Sequence, residues 1–143
     1  MIRKCFFKDD WMVTIIKKDD MLYDSLKPMF EQYGVAFADL SNNFIYIDGE
    51  VKMTENHILA IEAHEIGHYL LDHKGLINKS LEAMEMEADW AGSQILKKYE
   101  KTQARSIIDD RFEETYGVLI SDYSINPKQR QKIQKYLNEI KNI

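Results

Sequence analysis

The residues best suited to chemistry are five consecutive positions, 64–68, which read H-E-I-G-H. On an α-helix, side chains four residues apart lie about 40° apart around the axis and about one turn apart along it. His64 and His68 would then point the same way and could bind one ion together. Neutral imidazole suits Zn²⁺, and in the pattern H-E-x-x-H the carboxylate, here that of Glu65, serves as a general base.

A catalytic zinc ion needs a third protein ligand and keeps one position for water. A histidine six residues after the second motif histidine would mark one class of zinc peptidase, but Lys74 stands there. We therefore expect the third ligand in the next predicted helix, where Glu82, Glu85 and Glu87 are candidates. Glu85 shares a face with Asp89 beside an apolar stripe, whereas Glu87 points about 160° away and is expected to face solvent.

We predict Glu85 as the third ligand. Asp89, one turn further along the same helix, could accept a hydrogen bond from a ligand imidazole, which would fix the tautomer and orientation of that histidine. Two alternatives stay open from the residues alone. The motif helix could be a surface helix that carries these side chains by chance, and the two carboxylates could be solvated surface charges.

The motif needs a helix, and the sequence predicts one over about 55–72, with Thr54 as its N-cap and Gly75 as its stop. Apolar residues cover much of its circumference, which indicates a largely buried helix. Buried ionisable side chains need partners, and a metal ion would supply one. A second helix should run from Ser80, as N-cap, to about Tyr99 and pack antiparallel to the first.

The residues before the motif predict a small sheet. Segments 35–40 and 43–47 are rich in β-branched or aromatic residues and are joined by a turn at 41–43, which favours a hairpin. Residues 44–47 could be an edge strand that pairs with an extended peptide or a plain core strand. Residues 11–16 fit either a short strand or the start of a helix.

Further helices are predicted on both sides of these elements. One is capped by residues 19–20 and ends before Gly34, one stops near Gly117, and the last begins at Pro127. The chain is therefore predicted to be a single α+β, mainly helical domain in which a small sheet or hairpin precedes the motif helix. Its parts are an N-terminal helix and small sheet over 1–50, the zinc-site helix pair over 54–99 and C-terminal helices over 101–143.

Composition narrows the class of protein further. The 143 residues include 19 Lys and Arg against 24 Asp and Glu, and this net charge of -5 argues against nucleic acid as the main partner, despite a basic last helix. No apolar run is long enough for a membrane span or a signal peptide. Cys5 is the single cysteine, so no internal disulfide can form. We expect a cytoplasmic protein.

The segment H-E-I-G-H-Y-L-L at 64–71, followed by E-M-E-A-D at 85–89, resembles the ImmA/IrrE family of zinc metallopeptidases, whose pattern is H-E-[LI]-G-H followed by E-x-x-A-[ND]. The resemblance spans about residues 43–97 and implies a zincin-like, gluzincin-type fold. It also implies that the two histidines and Glu85 hold Zn²⁺ and that Glu65 is catalytic. The implied activity is cleavage of a helix-turn-helix repressor of a phage or mobile element in the cytoplasm.

In such a hydrolysis the metal polarises the scissile carbonyl, and Glu65 passes a proton from water to the leaving amine. The developing oxyanion needs one more donor. Candidates for this donor are Tyr69, Tyr116, Tyr123, His57 and His73. The alternative function is a non-catalytic zinc-binding protein that controls a repressor by binding it. A fourth protein ligand such as His73, Cys5 or Glu82 would favour that alternative, because structural zinc sites leave no position for water.

Overall fold

The computed structural model describes residues 1–73 and 80–140, and the chain forms two compact units, Met1–Glu55 and Asn56–Ile143. The described residues form four β-strands, five α-helices and one short 3-10 helix, so the predicted α+β, mainly helical class is confirmed. A single domain over 1–143 remains a prediction. In chain order the elements are β1 (Ile2–Lys4), β2 (Met12–Ile16), α1 (Tyr23–Tyr33), β3 (Ala36–Asp39), β4 (Phe44–Asp48), α2 (Glu55–Leu70), α3 (Leu81–Lys98), α4 (Thr102–Tyr116), the 3-10 helix (Ile120–Asp122) and α5 (Pro127–Glu139).

The first unit contains a four-stranded sheet in the order β1-β2-β4-β3. β2 and β4 run parallel, whereas the two outer strands pair antiparallel with their neighbours. Residues 11–16, which fit either a strand or a helix by sequence, therefore contain an inner strand. β4 is also an inner strand, and its Ile45 and Ile47 are fully buried. The edge-strand alternative for 44–47 is wrong, because β3 pairs with the outer side of β4.

The predicted hairpin is formed by the antiparallel strands β3 and β4. The Asp39 carboxylate closes its turn by accepting hydrogen bonds from the backbone N–H groups of Ser41 and Asn42 at 3.1 and 3.2 Å. Asn43 then adopts a left-handed conformation with φ of 57°, which asparagine tolerates better than most residues. Local turn chemistry thus produces the hairpin.

Helix α1 begins at Tyr23 rather than directly after Asp20. The Asp20 carboxylate instead accepts a hydrogen bond from the backbone N–H of Lys17 at 3.0 Å, in a turn that precedes the helix. The predicted end is confirmed. Gly34, with φ of 100°, follows the last helical residue and donates its N–H to the carbonyl of Phe30 at 2.8 Å.

Helices α2 and α3 of the second unit cross at a pair of glycines. A Cβ atom on Gly67 would lie 2.8 Å from the carbonyl oxygen of Ala88, and one on Gly92 would lie 3.1 Å from the backbone nitrogen of His64. Both contacts are with backbone atoms, so a larger side chain at either glycine would push the helices apart. Because the earlier residue of α2 meets the later residue of α3, the two helices run antiparallel, as predicted.

Helix α2 ends at Leu70 in a turn that places Asp72 in the left-handed conformation, with φ of 55°. The Asp72 N–H donates to the Tyr69 carbonyl at 3.1 Å, and the His73 N–H donates to the His68 carbonyl at 3.1 Å. These two bonds satisfy carbonyl groups at the end of the helix, as in a Schellman motif. The turn also folds His73 back over the last turn of α2.

The other helix ends that the sequence predicts in this unit are confirmed where the structure describes them. The Ser80 hydroxyl caps α3 by accepting a hydrogen bond from the Ala83 N–H at 3.1 Å. Gly117, with φ of 74°, ends α4, and Pro127 lies in the first turn of α5. Gly75, the predicted stop of α2, lies outside the described residues. In the described part of the chain no helix is both long and apolar enough to cross a bilayer.

Gly67→Ala should destabilise the protein by about 1–3 kcal/mol, because the added methyl group would overpack the helix crossing. Helix propensity alone predicts the opposite sign, since alanine is favoured over glycine by about 1 kcal/mol. The measurement is the free energy of unfolding in urea. The control compares Gln131→Ala with Gln131→Gly at an exposed position of α5. Their difference in unfolding free energy gives the helix-propensity effect of alanine over glycine without a packing change. A more stable Gly67→Ala protein would contradict the close crossing.

Candidate metal centre

The two motif histidines lie on α2, and the predicted acidic partners Glu85 and Asp89 lie on α3. Because the motif is helical, His64 and His68 project from the same side, with ring centroids 4.7 Å apart. His64 and Glu65 are each 9% exposed. The alternative of a surface helix is therefore wrong for this segment.

The donor atoms of both histidines converge on one carboxylate. The Nε2 atom of His64 lies 3.0 Å from one oxygen of Glu85, and the Nε2 atom of His68 lies 3.0 Å from the other. The two Nε2 atoms are 3.1 Å apart. The ligand atoms of the three residues all lie within 4.8 Å of one another, so this group could hold a metal ion. The structure thus brings together the three residues that the sequence predicts as ligands.

The spacing and chemistry of the three donors fit a tetrahedral ion. Ligand bonds of about 2.0–2.2 Å at a tetrahedral centre place neighbouring donor atoms about 3.3 Å apart. The two Nε2 atoms are 3.1 Å apart, and each lies 3.0 Å from its own nearer oxygen of Glu85, so the donors are already close to that spacing. Two imidazole nitrogens and one carboxylate oxygen form a set that first-row transition metals and zinc accept.

The described residues contain one group of three or more potential ligands, and it has three members. None of the fourth-ligand candidates, His73, Cys5 and Glu82, belongs to it. The residues outside the described ranges, 74–79 and 141–143, contain no His, Cys, Asp or Glu. A set of three protein donors leaves one position of a tetrahedral zinc ion for water or a substrate. In structural zinc sites a fourth protein ligand fills that position.

The outer nitrogen of His64 meets a buried carboxylate. Its Nδ1 atom lies 2.7 Å from Oδ1 of Asp89, which is 3% exposed. The same oxygen accepts a hydrogen bond from the Arg111 guanidinium at 2.5 Å. The structure therefore places Asp89 where the sequence predicts an orienting carboxylate, and the surface-charge alternative is wrong for it. Arg111 comes from α4, and no pattern in the sequence predicts its place beside Asp89.

The outer nitrogen of His68 meets a second imidazole. Its Nδ1 atom lies 2.7 Å from Nδ1 of His73, whose Nε2 atom lies 2.8 Å from the carboxylate of Glu87. Glu87 is 4% exposed, so the prediction that it faces solvent is wrong. The helical angle places Glu87 away from Glu85, but α5 packs against that part of α3, and the Gln129 amide donates to Glu87 at 3.1 Å.

Charge is concentrated around the donor group. Burial lowers the pKa of His64, but hydrogen bonds to Asp89 and Glu85 and the nearby charge of Glu65 outweigh it, and the pKa is raised to about 10. Burial raises the pKa of Glu85, but hydrogen bonds to His64 and His68 outweigh burial and lower it below its ordinary value. At neutral pH the metal-free site therefore pairs an imidazolium with carboxylates.

Two of the candidate oxyanion donors lie near buried carboxylates. Burial and the charges of Asp89 and Glu85 raise the pKa of the half-buried Tyr116. The negative charges of these two carboxylates therefore act on the Tyr116 phenol. Burial and the charge of Glu87 raise the pKa of Tyr123, which is also half-buried.

The other candidates are placed less favourably. His57 is exposed and precedes His64 by seven positions, which is about 10 Å along the helix axis. Tyr69 directly follows His68, so it is turned about 100° away around α2. Both nitrogens of His73 are engaged by other side chains.

Comparisons of the chain with protein-family models, with curated proteins and with solved structures give no match. The likeness to ImmA/IrrE peptidases therefore remains a resemblance of motifs. The interpretation of the site depends on the positions of its own side chains.

Glu85→Ala should remove most zinc binding, because the carboxylate supplies one of three donors. The loss of affinity should exceed the roughly 10–100-fold that the loss of an outer partner costs. The measurement is the zinc content per chain, determined by elemental analysis after dialysis. The wild-type protein should hold about one ion per chain. Glu82→Ala removes an exposed carboxylate from the same helix and is the matched control. Full zinc content in Glu85→Ala would mean that another residue is the third ligand.

Zinc binding should release at least one proton per ion near pH 7. The raised pKa of His64, about 10, means that the metal-free imidazole carries a proton that the metal must displace. Zinc affinity should therefore rise about tenfold per pH unit between pH 6 and pH 8. Titration calorimetry in buffers of different ionisation enthalpy counts the released protons. Asp89→Asn should reduce this number, and a binding heat independent of the buffer would contradict the prediction.

Proposed function

We propose that this protein is a zinc-dependent endopeptidase. The observation that carries the proposal is the convergence of His64, His68 and Glu85 on one point, with Glu65 in the same turn of α2. Zinc is the favoured ion, because calcium and magnesium prefer sites made of oxygen ligands, whereas two of these three donors are imidazole nitrogens.

The residues around the site can carry out the hydrolysis of a peptide bond. A bound zinc ion would supply Lewis acidity that polarises a carbonyl oxygen and makes a water molecule more acidic. Glu65 would accept the proton of the attacking water and deliver it to the leaving nitrogen as the C–N bond breaks. Tyr116 is the oxyanion donor that we favour, because its environment includes Glu85 and Asp89.

Two features favour hydrolysis over the alternative of a non-catalytic zinc-binding protein. The donor group has three members among the described residues, and the candidate His73 is held by His68 and Glu87 instead of joining it. The Glu85 side chain is 40% exposed, whereas those of the two ligand histidines are 11% and 13% exposed. Solvent and a substrate can therefore reach the donor group from the Glu85 side.

The resemblance to ImmA/IrrE peptidases supports a protein substrate of a particular class. We propose a helix-turn-helix transcriptional repressor of a phage or mobile element, cleaved in the cytoplasm. The net charge of -5 favours such a substrate over nucleic acid, because phosphate recognition depends on a surplus of basic side chains.

Glu65→Gln should retain zinc and lose cleavage by about 10²–10⁴-fold, because an amide cannot accept the water proton. The assay follows fragments of helix-turn-helix repressors encoded near the gene by mass spectrometry, with zinc content measured on the same samples. Glu55→Gln, an exposed substitution on α2, is the control and should cleave as wild type does. Cleavage by Glu65→Gln at the wild-type rate would show that Glu65 is not the base.

A further inference from the structure

Three buried side chains outside the donor group extend from His68 into the protein. Nδ1 of His68 lies 2.7 Å from Nδ1 of His73, and Nε2 of His73 lies 2.8 Å from Glu87. His73 and Glu87 are 8% and 4% exposed. The Gln129 amide of α5 donates to the Glu87 carboxylate at 3.1 Å and to the Leu71 carbonyl at 3.2 Å. We call His73, Glu87 and Gln129 the His68 relay.

The backbone places His73 for this contact. At the end of α2 the His73 N–H donates to the His68 carbonyl at 3.1 Å, so the two residues are joined through the backbone as well as through their rings. This return of the chain requires the left-handed conformation of Asp72, whose φ is 55°. The Asp72 side chain is 80% exposed, so the turn can be changed without altering a buried group.

The direction of each hydrogen bond follows once His68 offers its Nε2 atom to a metal. A neutral imidazole has one donor and one acceptor nitrogen, so Nδ1 of His68 then carries the hydrogen and donates to His73. His73 accepts at Nδ1, carries its own hydrogen on Nε2, and donates it to Glu87. The carboxylate can accept this bond and the one from Gln129, because it offers about four acceptor sites. All four ring nitrogens of His68 and His73 are thus used.

We propose that His73 and Glu87 are positioning residues for His68, which fix its tautomer and ring orientation for metal binding. This inference rests on the proposed metal site. His64 has a direct carboxylate partner in Asp89, whereas His68 reaches a carboxylate through one additional imidazole. His73 is therefore no fourth ligand: its two nitrogens are engaged by His68 and Glu87. Gln129 links the relay to α5, so the C-terminal helix contributes to the geometry of the ligand.

The first test compares zinc release from variants of His73. His73→Leu removes both hydrogen bonds and should accelerate zinc dissociation by about 10–100-fold, as loss of outer partners does elsewhere. His73→Asn keeps an acceptor near the position of Nδ1 and should recover most of this loss. Dissociation is followed by transfer of zinc to a chromogenic chelator. Ser93→Ala on α3 is the matched control. It removes a partly buried hydrogen bond to Asp109 of α4 and should change the rate by less than about twofold.

The second test changes the turn alone. Asp72→Val should accelerate zinc release, because a β-branched residue disfavours positive φ and would move His73 away from His68. Asp72→Gly loses the same exposed ion pair with Lys132 but accepts the backbone conformation, so it should release zinc as wild type does. This pair keeps the proposal testable even if His73→Leu does not fold.

Nitrogen-15 NMR of the zinc-loaded protein tests the tautomers directly. The expected result is a hydrogen on Nδ1 of His68 and on Nε2 of His73. The relay is overturned if His73→Leu and Asp72→Val release zinc at the Ser93→Ala rate, or if His73 carries its hydrogen on Nδ1. If the His73 and Asp72 variants change zinc release as expected but the wild-type protein cleaves no repressor, only the peptidase proposal is overturned. A wild-type protein that takes up no zinc would overturn both proposals.

Discussion

The close crossing of α2 and α3 is the constraint on which the site depends. His64 and His68 extend from one helix and Glu85 from the other, and their candidate donor atoms lie 3.0 to 3.1 Å apart. A wider crossing would leave these side chains too far apart. The glycines at 67 and 92 allow the required approach, because each faces backbone atoms of the opposite helix. The glycine within the motif therefore sets the distance between helices, at a cost in helix propensity of about 1 kcal/mol.

The crossing also buries ionisable groups, and their partners come from outside the helix pair. A charged or polar group without water is costly unless it is hydrogen-bonded. α4 supplies Arg111 to the carboxylate of Asp89, and α5 supplies Gln129 to that of Glu87. The two later helices thus supply hydrogen-bond donors to a group whose candidate metal donors lie on α2 and α3. Removal of either helix would leave a buried carboxylate with one fewer donor.

Sequence patterns predicted the inner part of the site because local periodicity determines it. The spacing of the histidines fixes their common face, and the same argument selects Glu85. Helix geometry also separates Glu87 from Glu85 around the axis of α3. It does not indicate which element packs on the face that carries Glu87, and in the structure that element is α5. Arg111 and Gln129 follow no local pattern, since tertiary packing alone brings them to the centre. The sequence leaves residues 11–16 ambiguous for a related reason. Pairing with β4 makes 12–16 a strand, and no pattern within the segment indicates that partner.

Burial increases from the candidate donor residues to the carboxylates behind the two histidines. The side chain of Glu85 is 40% exposed and that of His68 is 13% exposed, whereas those of Asp89 and Glu87 are 4% and 6% exposed. Hydrogen bonds in drier surroundings are stronger and better ordered, so orientation is set where water is scarce. The candidate donor group is thus more open to solvent at Glu85 than at the two carboxylates behind the histidines. A site that only stabilised the fold would gain from a buried fourth ligand, so this gradient agrees better with catalysis than with a structural role.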